Sequence, residues 1–403
     1  MDTQLVDICY QKAIAGLLKN KLNIGLAAAE PKEKLEKDYD TLFTRDTAIC
    51  TLGMVASGNE ELIALTKQSL DALSNAQSKK GQFPSNTIPE KGWTQWWMPG
   101  TIDGTLWWPI AVLNYVKQTG DREYYTKHKE RIEKAFTWLT YQDTNNDNLL
   151  EQGEAAGWDD EMPRMGLVLL TNALWYWLVS LRIEVEERHD LTKLKGTIYE
   201  GINTMLWVHK SRDNNMDYIP DNEYTRNNTF AKTYIEWVNA RVVYLPHYLG
   251  FLSHKTYEMR CETLGNVLAC ITGLADHEKA KLITDHIVRA GINKPYPIKV
   301  LHPPIYPGEE DWREYMQKGR QNYPWQYHNG GIWLFAGGFW VMWLAQQDKE
   351  RAEQELEKLA QANALNDWAF NEFLHGQHGT PMGIDKQSWS MAMYIAAYKA
   401  VKK

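Results

Sequence analysis

The chain has 403 residues, 44% hydrophobic and 24% charged, an ordinary globular balance that excludes a disordered or fibrous polypeptide. Lys and Arg total 44 against 51 Asp and Glu; the net charge of −7 disfavours nucleic acid and anionic membranes, which both need a dense positive face. Four cysteines, Cys9, Cys50, Cys261 and Cys270, share no metal-ligand spacing and are too few for a disulfide scaffold, so they read as reduced, buried thiols.

From the N-terminus, Met1–Lys21 carries Asp2, Asp7, Lys12 and Lys19 without an unbroken apolar stretch, and reads as neither signal peptide nor anchor. No run of about 18 apolar residues follows, so the expectation is a soluble, cytoplasmic chain. Apolar residues recur every three or four positions in Leu5–Leu22, Thr47–Ala56, Glu61–Ala76, Leu106–Lys117, Tyr124–Leu139, Leu167–Val185 and Leu191–Met205. The pattern returns in Met259–Leu274, Glu278–Ala290, Ile332–Ala345, Glu350–Ala362 and Gln387–Ala400. Several of these twelve predicted helices form adjacent pairs, with Asn59, Asp121 and Asp276 placed to cap the second member. Between the pairs lie long Gly-, Pro-, Trp- and Asn-rich stretches, Gly81–Gly104, Asp143–Arg164, Ser211–Trp237, Lys294–Gly331 and Asn366–Lys386. Structureless loops of that length inside a compact domain point to function. The whole suggests an all-α fold, one domain over residues 1–403 in which a closed double ring of helices carries a loop-rich face.

Candidate site residues follow in chain order. Phe43-Thr44-Arg45-Asp46 precedes a helix and offers an Arg–Asp pair that can fork onto vicinal hydroxyls. Asp103 with the tandem Trp107 and Trp108 suggests a sugar platform, in keeping with 18 Trp and 21 Tyr against 9 Phe. Asp143, Asn145, Asp147 and Glu154 stand at positions 1, 3, 5 and 12 of a calcium-loop spacing, with Asn148 where the sharp turn wants Gly; a solvated acidic turn is the plainer reading. In Gly157–Arg164, Asp159 and Asp160 follow Trp158. A carboxyl pressed against an indole loses solvation and its pKa rises towards that of a general acid, while Arg164 can hold a neighbour ionised. Tyr327-His328-Asn329-Gly330-Gly331-Ile332-Trp333 is a polar, Gly-hinged entry to a helix. Glu372 sits between apolar residues in Asn371–Gly376, close to Gln387 and Trp389 at the opening of the last helix. Two carboxylates from distant parts of the chain, each in an aromatic loop, fit glycoside hydrolysis, in which one protonates the leaving oxygen and the other activates water. His375 and His378 have no third ligand pattern beside them and read as loop residues.

In this order the stretches FTRD (Phe43–Asp46), DGTLWWPIAVLNYVKQTGD (Asp103–Asp121), WDDEMPRMG, ETLGNVLACITGLA (Glu262–Ala275), YHNGGIW, NEFLHG and QSWS resemble the alkaline/neutral invertases. More distantly they are similar to the glucosidase domain of glycogen debranching enzymes and to trehalases. The resemblance implies an (α/α)6 barrel and net inversion, with Asp159 as general acid, Glu372 as general base, and Arg45 and Asp46 on the sugar whose bond is cut. A debranching-type register shifts the acid to Asp160. Where the invertases follow the acid with basic residues and a Gly-Ile-His run, this chain has Asp160-Glu161-Met162-Pro163-Arg164, at the substrate end of the pocket.

The leading expectation is therefore an inverting, exo-acting glycoside hydrolase on a small neutral saccharide, sucrose first, needing no cofactor. Arg45, Asp46, Asp103, Asp160, Arg164, His328, Asn329 and Gln387 would line the substrate, with Trp107, Trp108, Trp158, Trp333 and Trp389 as walls. The rivals are an α-glucosidase on a glucosyl disaccharide or polyol, a sugar 2-epimerase using His328 and His375, and a non-catalytic saccharide-binding barrel.

Overall fold

The computed structural model describes residues 1–31, 41–97, 101–208, 219–242 and 244–403. Residues 98–100 of the expected loop Gly81–Gly104 and residues 211–218 of Ser211–Trp237 therefore lie outside the described part. The described residues hold fourteen α-helices: α1 (Thr3–Lys19), α2 (Thr44–Ser57), α3 (Glu60–Asn75), α4 (Asp103–Thr119), α5 (Arg122–Thr140), α6 (Leu169–Glu186), α7 (Thr192–Met205), α8 (Glu223–Asn227), α9 (Thr229–Asn239), α10 (Thr263–Thr272), α11 (His277–Arg289), α12 (Leu334–Ala345), α13 (Lys349–Trp368) and α14 (Ser388–Lys402).

Two kinds of helix alternate, and the sequence says why. Helices α2, α4, α6, α10, α12 and α14 are apolar almost all round, as in LFAGGFWVMWLA of α12, and a helix without a polar face must be enclosed. They pack in turn, α2 on α4, α4 on α6, α6 on α10, α10 on α12, α12 on α14, and α14 back on α2, which closes a circuit. Helices α3, α5, α7, α11 and α13 each bury one stripe against the preceding inner helix, and α1 packs on α14. The expected caps are in place: Asn59, Asp121 and Asp276 accept from the backbone N–H of Leu62, Tyr124 and Lys279. Gly338 lets α12 approach α14 closely, because a Cβ there would meet the Met393 carbonyl oxygen at 2.6 Å.

Ser211–Trp237 is a correction: within it, α8 and α9 begin on Asn222 and Asn228, whose side chains cap them. The loops also carry short antiparallel sheets. Leu42–Phe43, Asn86–Ile88 and Trp93–Gln95 form one; Glu151–Gln152, Gly166–Val168 and Phe251–Leu252 a second; Ile332–Trp333, Phe373–Leu374 and Pro381–Met382 a third. Cys261–Glu262 pairs with Leu301–His302. Four of these strands run directly into α2, α6, α10 and α12, so the sheets tie the loops to the N-terminal ends of inner helices.

Candidate functional site

The N-terminal ends of the inner helices gather the polar residues, where helix dipoles favour carboxylates. Arg45 and Asp46 lie in the first turn of α2, and Asp103 opens α4. Arg45 Nη1 donates to Asp103 Oδ2 at 3.1 Å, and its Nε lies 3.5 Å from Asp46 Oδ2. Asp46 and Asp103 are buried. The two acids thus hold the guanidinium in place with part of its fork unused: Nε has no hydrogen-bond partner among the described residues.

The Asp159–Asp160 loop is the connection between strands Glu151–Gln152 and Gly166–Val168. Asp159 is buried and accepts from Arg164 Nη1, which also lies 4.0 Å from Glu262, the N-cap of α10. Burial raises the Asp159 carboxyl against the pull of Arg164. Asp160 is pushed further, to about 7, by burial together with the charges of Asp103, Asp159 and Asp46, with Arg45 opposing. Glu262 is likewise pushed up to about 7 by burial, against Arg164. Acidic groups held near neutrality in one place are the pattern of acid–base sites.

Glu372 arrives from the other side of the ring, on the loop after α13. That helix loses helical geometry at Leu365–Asp367, and Asn366, Asp367, Trp368 and Phe370 all take positive φ before the strand Phe373–Leu374 pairs with Ile332–Trp333. Left-handed conformations in bulky residues are costly and mark places where surrounding structure imposes the geometry. The Glu372 carboxylate accepts from Ile384 N–H at 3.1 Å, and its own N–H donates to the Ile384 carbonyl at 2.8 Å. What joins the two acidic loops is Tyr327, itself at φ 45°. Its hydroxyl is held well above the ordinary phenol value, first by burial and then by the charges of Asp160 and Glu372. The charges of Asp160, Glu372, Arg45 and Asp46 thus all bear on one phenol.

The aromatic residues divide into two groups. Trp158 meets His328, Trp333 and Phe335 edge-on at 4.6–5.3 Å; Trp333 stacks on Phe373, and Trp389 on Phe335. His328 stacks on Trp333 and its Nδ1 donates to the Asp160 carbonyl at 3.3 Å, so this group backs the acidic loops. Gln387 is buried at the start of α14. Trp107 and Trp108 are a correction. Trp107 packs between Trp177 and Phe339 inside the ring, while Trp108 stacks on Phe83 and donates to the Leu70 carbonyl at 3.1 Å. Both are core, and neither offers an open face. Asn329 is a second correction: its amide oxygen accepts from Ile305 N–H and both its amide protons go to the Ile305 and Asn322 carbonyls, which closes its own loop and leaves no donor for a ligand.

Asp143, Asn145 and Asp147 do come together, but around the backbone amides of Asp147, Asn148 and Leu149. Asn148 takes the left-handed φ of 70° that the sixth position asks for. Glu154 turns elsewhere, to the Tyr315 hydroxyl and Arg313. His375 stacks on His378 at 4.8 Å. A cavity of about 1280 Å³ lies beside the acidic turn, lined by Asn145, Asp147, Glu200, Tyr224, Phe230 and Trp237 among others, and none of the paired carboxylates lines it. Tyr327 and Glu262 are site residues that sequence reasoning missed. Both stand inside quoted motifs, but neither has a spacing that singles it out.

Comparison with known proteins places this arrangement. The chain is 24% identical over 94% of its length to alkaline/neutral invertase C, mitochondrial, of Arabidopsis thaliana, and 23% identical over 92% to alkaline/neutral invertase E, chloroplastic, of the same plant. It spans 64% and 67% of those two proteins. Among solved structures it superposes on the GH63 mannosylglycerate hydrolase from Thermus thermophilus in complex with Tris and D-glycerate, with a TM-score of 0.66 at 12% identity, covering 96% of this chain and 99% of the other. A variant glycosidase in complex with glucose gives 0.62 at 14% identity, covering 100% and 99%. The family profile described as alkaline and neutral invertase matches residues 99–403, which include both acidic loops, Tyr327 and five of the six inner helices. On that match, over three quarters of its length, the chain belongs to the alkaline and neutral invertase family.

Proposed function

We propose that the protein is an inverting, exo-acting glycoside hydrolase that cleaves a small neutral saccharide, sucrose the first candidate, in the cytoplasm. Residues 1–403 then form one catalytic (α/α)6 barrel, a reading supported by the closed circuit of α2, α4, α6, α10, α12 and α14. The observation that carries the chemistry is that the charges of Asp160 and Glu372, from two distant loops, both bear on one half-buried tyrosine, Tyr327. One member of the Asp159–Asp160 pair gives a proton to the bridging oxygen; Glu372 takes one from the water that attacks the anomeric carbon. Asp160, held near 7, suits the donor's task better than Asp159, which is bonded to Arg164. Asp159, the donor that the family resemblance implies, then fixes the loop through Arg164. Arg45, Asp46 and Asp103 grip ring hydroxyls, and Trp158, Trp333 and Trp389 support the loops from behind.

A second reading, an α-glucosidase on a glucosyl disaccharide or polyol, draws on Asp160–Arg164, which replaces the basic run usual in invertases. Proton NMR of sucrose turnover tests both. The proposal expects fructose release with β-glucose as the anomer first formed; α-glucose formed first would overturn inversion, and turnover of other glucosides but not sucrose would select the second reading.

A further inference from the structure

Three nitrogen and sulfur donors meet outside the acidic site. His247 comes from the loop ahead of α10, Cys261 from the strand Cys261–Glu262, and His286 from the last turn of α11. One ligand atom of each lies within 4.8 Å of the other two. We propose that these residues form a zinc site that clamps α11 to the strand carrying Glu262. The inference does not depend on the catalytic reading.

The donor set is the first argument. Two imidazoles and a thiol, with no carboxylate among them, make the borderline-soft combination that selects Zn²⁺ over calcium or magnesium. The second argument is orientation. His247 Nδ1 lies 2.8 Å from the Tyr248 carbonyl, an acceptor only, so Nδ1 carries the proton and Nε2 is left as a lone-pair donor. An outer hydrogen bond of this kind is what fixes metal-binding histidines. The His247 and His286 rings lie with centroids 4.9 Å apart. Bonds of about 2.0–2.3 Å to a tetrahedral zinc require donors roughly 3.3–3.7 Å apart, so closing on the ion takes a shift of about 1 Å. His247 and Cys261 are buried, and His286 is half-buried.

The surroundings supply a neighbouring imidazole and an approach. His302 is paired directly opposite Cys261 in the antiparallel ladder, so the two side chains share a face. Its Nδ1 is buried with no hydrogen-bond partner among the described residues, and His302 also lines a surface cavity of about 640 Å³. The nearby Lys299 ammonium is turned onto the Gly291 and Lys294 carbonyls. Water completes the tetrahedron.

Metal content of the full chain, purified without chelators, tests the site, followed by titration of the stripped protein with Zn²⁺ and with Co²⁺. The expected result is one Zn²⁺ per chain and, with Co²⁺, the charge-transfer absorption of a thiolate ligand. Cys261→Ser should remove that absorption. His286→Ala, at a half-buried position near the end of α11, should keep the native circular dichroism and weaken zinc binding at least tenfold. Failure of the stripped wild-type chain to take up zinc at micromolar concentration overturns the site, as does a folded His286→Ala variant with unchanged affinity.

Discussion

On the proposed reading Asp160 and Glu372 divide the work at the level of single side chains, and each makes a separable prediction. Asp160→Asn should lower kcat on an unactivated disaccharide by about 10²–10⁴-fold and leave turnover of a glycosyl fluoride, whose leaving group needs no proton, nearly intact. Asp159→Asn should impair both substrates, because loss of the Arg164 bond disturbs the loop itself; if the fluoride instead rescues Asp159→Asn alone, the donor is Asp159. Only the protonated donor works, so kcat/KM of the wild type should fall as pH rises through about 7, and that limb should vanish in Asp160→Asn. A third variant probes how the base is held. Gly383, at φ +70°, lies so close to Glu372 that a Cβ there would strike its carboxylate. Gly383→Ala should therefore cut kcat by at least tenfold, with a stability loss of only about 1–2 kcal/mol from the left-handed backbone. Wild-type kcat in that variant would show that Glu372 does not need its present position.

At the level of elements, consecutive residues on a helix point about 100° apart, and this decides the fate of the tandem tryptophans. Trp107 faces into the ring and Trp108 outwards, to α3 and to His128 of α5, so they cannot form one platform. Trp108→Ala should cost about 3–5 kcal/mol in denaturant unfolding and leave KM within twofold in the folded fraction, whereas a sugar platform would lose KM first. The helices were legible because a period of 3.6 survives over ten or more residues, and Asn59, Asp121 and Asp276 mark their starts. The small sheets were not, since strands of two or three residues are too short to show a period of two. The same limit hid α8, five residues long, while α9 was read with the polar, Asn-rich stretch from which it emerges. Of the site, the loops of Arg45–Asp46, Asp159–Asp160 and Glu372 were visible as acids among aromatics, but Tyr327 and Glu262 matter only through neighbours distant in sequence. The His247–Cys261–His286 cluster escaped for the same reason: its spacing exists in space and not along the chain.

For the molecule as a whole, the carboxyls held near neutrality set a pH dependence of folding. A group whose folded pKa is raised binds its proton more tightly in the native state, so its contribution is fully present below the unfolded value and is lost as pH rises through the folded one. Asp160 and Glu262, both at about 7, should thus erode stability between roughly pH 4 and 8. Asp71 works in reverse: despite burial, its bonds to His128 and Lys127 hold it down to about 2, and its contribution is lost as pH falls towards that value. Urea midpoints across this range should decline on the neutral side, and Asp160→Asn should flatten that decline; an unchanged slope would count against the burial of Asp160.

The sixth inner helix, α14, follows the other five in the chain and docks on both α2 and α12. Without α14, the helices α2 and α12 would each leave an apolar face uncovered. Arg45 on α2 and the Glu372 loop after α13 would then lose the helix on which both α2 and α13 pack. A chain that stops before Ser388 should therefore be a client for chaperones and no catalyst at all.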